Sequence, residues 1–79
     1  MNVVELGLLA DNGVIVGASI VDAVVDAGFN VQVKIKGRID EVVMTDTRHG
    51  KVRVFKSIDS AVTTIRKYLR LNNAIQVLA

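Results

Sequence analysis

The sequence has no cysteine, one histidine and three aromatic residues (Phe29, Phe55 and Tyr68) in 79 positions. Without cysteine the chain has neither disulfides nor thiolate metal sites. A lone His49 among scattered acids lacks the convergent spacing of a metal site. Three aromatics are too few for a base-stacking platform of the RNA-binding type. Residues 1–27 contain no Lys or Arg, so the basic start of a signal peptide is missing. The apolar stretch from Val3 to Phe29 is broken by Glu5, Asp11, Asn12 and Asp22 and has no uncharged run long enough to span a bilayer. These absences lead to the expectation of a cytoplasmic protein with no membrane segment, cofactor or metal.

What is present is a segregation of charge. Residues 1–27 hold Glu5, Asp11, Asp22 and Asp26, a net −4; residues 28–79 hold all ten cations against four acids, a net +6. An oriented field of this kind concerns partners more than fold. The chain is also 51% hydrophobic and rich in valine. A domain this small buries a limited share of its surface and commonly needs a staple. With disulfides excluded, the composition predicts a homodimer.

The clearest element follows Lys56. Ser57 suits an N-cap, and Ile58, Ala61, Val62, Ile65 and Leu69 trace one apolar stripe at helical spacing. Asp59 in the first turn and Arg66, Lys67 and Arg70 in the last complement the helix dipole. The pattern predicts a helix over Ile58 to Leu71, closed by Asn72-Asn73 in the left-handed conformation. Ala74 to Leu78 reads as a short last strand. Upstream, Val31, Val33 and Ile35 alternate with Gln32, Lys34 and Lys36, a strand with one buried and one wet face. Glu41 to Thr45 and Lys51 to Lys56 read as two further strands, joined by a hairpin loop at Asp46-Thr47-Arg48-His49-Gly50. Nearer the start, Asn2 caps a short helix over Val3 to Ala10. The stretch from Val14 to Ala27 has two readings. One is a helix capped by Ser19 and stopped by Gly28. The other is a strand turning at Asp26-Ala27-Gly28, favoured by its β-branched residues.

The catalytic inventory is thin. His49 reads as a solvated loop residue. Asp40 and Glu41 are adjacent, and neighbours in a strand point to opposite faces, so they do not readily serve one reaction centre. Capping explains Ser57 and Ser60 better than nucleophilic attack does. The Gly13-Val14-Ile15-Val16-Gly17 run lacks the Lys-Ser/Thr of a phosphate loop and resembles no complete nucleotide fingerprint. No enzyme activity is expected.

The basic strands carry the functional expectation. Lys34 and Lys36, beside Gln32, mark one wet face. Lys51 and Arg53 mark the face opposite Val52 and Val54. If those strands are neighbours, four cations share one sheet surface, joined by Phe55, and such a sheet can meet DNA phosphates and base edges. The competing reading is a solvated outer face, which any one-sided antiparallel sheet requires.

The run from Gly50 to Ala61, leading into a helix and a terminal strand, together with Asp11-Asn12-Gly13-Val14-Ile15-Val16-Gly17-Ala18, resembles small plasmid-encoded, partition-associated accessory proteins. The resemblance implies a cytoplasmic, non-enzymatic role in plasmid maintenance and favours the strand reading of Val16 to Ala27. The glycine typical of that family after the helix is replaced by Leu71-Asn72-Asn73.

The resulting expectation is one α+β domain over residues 1–79. It has a small antiparallel sheet, a three-stranded meander plus a short C-terminal strand, packed against one main C-terminal helix, with a short N-terminal helix. The expected function is that of a dimeric accessory protein associated with DNA through Lys34, Lys36, Lys51 and Arg53. The alternative is a protein-interaction or structural module with no nucleic-acid binding.

Overall fold

The computed structural model describes residues 1–23 and 27–78. The chain begins with helix α1 (Val3–Asp11). Strands β1 (Ile15–Asp22), β2 (Phe29–Ile35) and β3 (Val42–Val43) follow. Helix α2 (Ile58–Thr64) continues as a π-helical segment over Ile65–Leu69 before strand β4 (Ile75–Val77). Among the described residues the strands form one sheet in the order β3-β2-β1-β4. The α+β class expected from the sequence is therefore observed.

Asn2 starts α1 through a reciprocal cap. Its Oδ1 accepts from the Glu5 N–H at 2.9 Å, and its own N–H donates to Glu5 Oε1 at 3.0 Å. Two orphan donors of the first turn are satisfied together. β1 adopts the strand reading, as its β-branched residues favour. It pairs antiparallel with β2 from Ile15↔Ile35 to Asp22↔Phe29, with an irregularity between Ile15 and Gly17. Val24, Val25 and Asp26 lie outside the described residues, and with them part of the expected turn; on its far side the Ala23 N–H donates to Gly28 O at 3.0 Å.

One face of this hairpin builds the core. Ala18 opposes Val33 and Ile20 opposes Val31, and all four are buried. Leu6 of α1 covers them together with Ala61, Ile65 and Leu69 of the second helix, while Met44 and Phe55 close the same cluster. Both helices therefore lie on one face of the sheet. The short helix expected over Val3 to Ala10 is found as α1, whereas the C-terminal helix, expected as one element, is divided into α2 and the π-helical segment; α1 also contributes the fully buried Leu6 to the core. The stripe on the second helix is as expected for Ala61, Ile65 and Leu69, while Ile58 and Val62 lie half-buried at its rim.

Three further expectations are corrected. The sheet is mixed rather than antiparallel: β4 runs parallel to β1, with Ala18↔Ile75, Ser19↔Gln76 and Ile20↔Val77. The intervening helix makes this crossover possible. The helix ends at Leu69 instead of Leu71, and Arg70 (φ 56°) takes the left-handed position expected of Asn72-Asn73. Leu69 is the last buried residue of the stripe, and beyond it the chain reverses to lay Ile75 beside Ala18.

The third correction concerns the meander. Lys51 to Lys56 is not a continuous strand, because it divides its pairing between two neighbours. Val52 bridges Thr45, whereas Phe55 bridges Phe29. Between them Asn30 Nδ2 donates to Arg53 O at 3.1 Å, in place of a ladder partner. β3 is likewise shorter than Glu41 to Thr45, since the chain leaves β2 after the Met44 N–H bonds Val31 O, and Thr45 donates to Met1 O.

Candidate interaction surface

The face of the sheet opposite the helices has no layer over it among the described residues. Strand alternation puts Gly17, Ser19 and Val21 of β1 there, with Asn30, Gln32 and Lys34 of β2, Val43 of β3 and Gln76 of β4. Cross-strand register aligns Val43, Gln32, Ser19 and Gln76 in one row. Ser19 is only 4% exposed and stands in register between Gln32 and Gln76. Val16, Gly17, Ser19, Lys34, Glu41 and Gln76 line a shallow depression of about 250 Å³. Glu41 lines it from the position just before β3.

Gly17 sets the floor of this depression. A Cβ there would lie 3.1 Å from the Ala74 carbonyl oxygen, the atom that accepts from the Ala18 N–H at 3.0 Å. A residue without a side chain thus allows β4 to close on β1. Ala74 itself has φ 65°, a strained value for a non-glycine residue, as the chain turns into β4.

β4 is the edge of the sheet. Its parallel register directs the carbonyl of Ala74, both backbone groups of Gln76 and the N–H of Leu78 toward β1. The N–H and C=O groups of Ile75 and Val77 point the other way, and among the described residues they make no hydrogen bond. The side chains along this edge are apolar as well. Val77 is 48% and Leu78 63% exposed, and no residue from Leu71 to Ala79 carries a charged side chain. The edge lacks the lysines and prolines with which natural sheets discourage added strands.

The four cations singled out from the sequence are not brought together. Lys34 is exposed on the open face and Lys36 follows just beyond the end of β2. Lys51 and Arg53 belong to the other side. Met44 is buried in the core, so Thr45 faces outward; Val52 opposes Thr45, and alternation returns Lys51 and Arg53 to the helix side. Phe55, expected on the wet face, is 5% exposed in the core, with the Arg53 guanidinium 4.7 Å from its ring centroid. Val52 and Val54, expected inside, are exposed.

Ser57 and Asp46 serve local structure. Ser57 Oγ accepts from the Ser60 N–H at 3.1 Å and caps α2. Asp46 Oδ1 accepts from the His49 N–H at 2.6 Å and the Arg48 N–H at 3.1 Å. The His49 contact is the main reason the Asp46 carboxyl is held below the usual carboxylate range, with the Arg48 N–H adding to it. His49 is exposed in that turn. Among the described residues no three His, Asp or Glu side chains group as metal ligands would. The salt bridge found there joins Arg70 to Asp11 at 3.0 Å and ties the ends of the two helices together. No described helix is long and apolar enough to cross a membrane.

Sequence reasoning missed the β4 edge as a site, although its signal was present: five consecutive uncharged residues, Ala74 to Leu78, at the end of a basic half. No family model matches the chain, and no curated protein or solved structure matches it either.

Proposed function

We propose that the protein is a non-enzymatic interaction module that takes up an extended segment by adding a strand to β4. The observation that carries this reading is the pair of outward backbone positions at Ile75 and Val77, on an edge without charge. Main-chain hydrogen bonds supply affinity in this mode, and alternate side chains supply selectivity. The incoming strand would meet Ile75 and Val77 on the helix side and Gln76 and Leu78 on the open side.

The test is titration of the isotopically labelled protein with a synthetic peptide of the sequence AIQVLA, followed by amide shifts. Perturbations centred on Ile75 to Leu78 and passing into β1 support the reading. Perturbations elsewhere, or none at millimolar peptide with the protein dilute enough to be monomeric, overturn it. Val77→Pro supplies the control. Among the described residues the Val77 N–H makes no hydrogen bond, so proline there keeps the β1–β4 ladder while removing one donor and blocking the approach.

A second reading is DNA association, with the role in plasmid maintenance that the resemblance implies. It is favoured by the exposure of Lys34 and Lys36 on a face with no covering layer among the described residues. With the cations divided between two sides of the sheet, contacts would be few and directed to phosphates, which position without specifying sequence. Retention on immobilised duplex DNA that falls steeply with salt supports this reading; no retention at low ionic strength removes it.

A further inference from the structure

We infer that the strand added to β4 is β4 of a second copy of this chain, paired antiparallel about a two-fold axis through Gln76. The inference rests on the strand-addition reading and names its partner.

A two-fold interface brings every residue close to its own counterpart, so an edge that meets itself must not repel itself. From Leu71 to Ala79 there is no charged side chain. This neutrality is local, because the rest of residues 28–79 carries ten cations and four acids. A partner recognised by charge would find nothing to read on this edge, whereas an identical copy meets no penalty.

The pattern of free backbone groups fixes the register. In an antiparallel pair, residues whose N–H and C=O both point across form the hydrogen-bonded pairs, and they alternate with non-bonded pairs. Ile75 and Val77 are the outward residues. Pairing Ile75 with Val77 of the second copy, and Val77 with its Ile75, makes about four inter-chain hydrogen bonds. It also sets Gln76 against Gln76 at the non-bonded position, where side chains come closest.

Side-chain sizes fit this register. Ile75 packs on the core cluster; the incoming Val77 would continue that apolar row and cover a residue that is half exposed in one chain. On the open face the exposed Leu78 would lie over Ala74 of the other copy, a large side chain against a small one. The two amides of Gln76 can hydrogen-bond one another. The two four-stranded sheets would join into one of eight strands, and the depression beside Ser19 and Gln76 would be doubled across the axis.

The register makes a charge-swap test possible. Sedimentation velocity of the full chain over a hundredfold dilution should show a species of twice 8.5 kDa that dissociates as concentration falls. Gln76→Lys and Gln76→Glu each place like charges at the axis and should be monomeric with unchanged circular dichroism. Mixing the two variants at equal amounts should restore a dimer. A wild type that is monomeric at high micromolar concentration overturns the inference, as does a dimer that both single variants keep. A mixture that stays monomeric overturns the register about Gln76. If the wild type is monomeric yet still takes up the AIQVLA peptide on β4, the second-copy inference fails and strand addition stands. If it does neither, both fail.

Discussion

Phe29 and Phe55 exchange both backbone hydrogen bonds, each N–H donating to the other's carbonyl at 2.8 Å. This pair ties the segment before α2 to the start of β2. Gly28 lies under the contact: a Cβ there would fall 2.5 Å from Phe55 O and 2.8 Å from Val54 Cγ1, at φ 139°. Gly28→Ala therefore combines a backbone clash with a conformation that L-residues avoid. The strain alone is worth about 1–3 kcal/mol. Urea denaturation should show at least that loss; an unchanged midpoint would mean that the Phe29–Phe55 closure is not as described.

Ser57→Ala should cost roughly 0.5–2 kcal/mol, since the Ser60 N–H loses its acceptor. Ile65→Ala and Leu6→Ala empty fully buried sites on the two helices and should each cost about 2–5 kcal/mol. Comparable losses for Leu6 and Ile65 are expected if α1 is an integral half of the helical layer. A Leu6→Ala variant as stable as wild type would make α1 peripheral.

The loop at Asp46 should respond to acid. Its carboxyl is depressed in the folded chain by the His49 and Arg48 N–H groups. A depressed folded pKa means that the contribution is present above the unfolded carboxylate pKa and is lost as pH falls through the lower, folded one. Carboxyl chemical shifts across an acid titration should place Asp46 below the ordinary carboxylate range. Asp46→Asn should remove the acid-induced change in the His49 amide. An Asp46 titrating at the ordinary value would contradict the turn.

The division of the cations predicts an asymmetry. If DNA is retained through the open face, Lys34→Glu with Lys36→Glu should abolish retention. Lys51→Glu should change it little, because Lys51 falls on the helix side. Equal effects of both changes would mean that binding is not confined to the open face.

Much of the fold was legible where one signal dominated. The cap at Ser57 with its apolar stripe, and the strict alternation of Val31, Val33 and Ile35, each admit one phase and one partner layer. The segment from Lys51 to Lys56 alternates just as clearly, yet its phase came out reversed. Phe55 buries more apolar surface than Val52 or Val54 and shares its phase with Lys51 and Arg53; the Arg53 guanidinium stacks on the ring instead of joining a wet face. The direction of β4 was illegible because parallel pairing depends on where the preceding helix delivers the chain. The edge at Ile75 and Val77 follows from that direction, so it could emerge only with the topology.

Amide hydrogen exchange at β4 tests the central claim most directly. The Gln76 N–H is committed to β1, so it should be protected at every protein concentration. The Ile75 and Val77 N–H groups face away, so they should exchange rapidly in dilute solution and gain protection as concentration rises and a second strand covers them. Protection of Ile75 and Val77 equal to that of Gln76 at the lowest concentration, or an unprotected Gln76, would contradict the account.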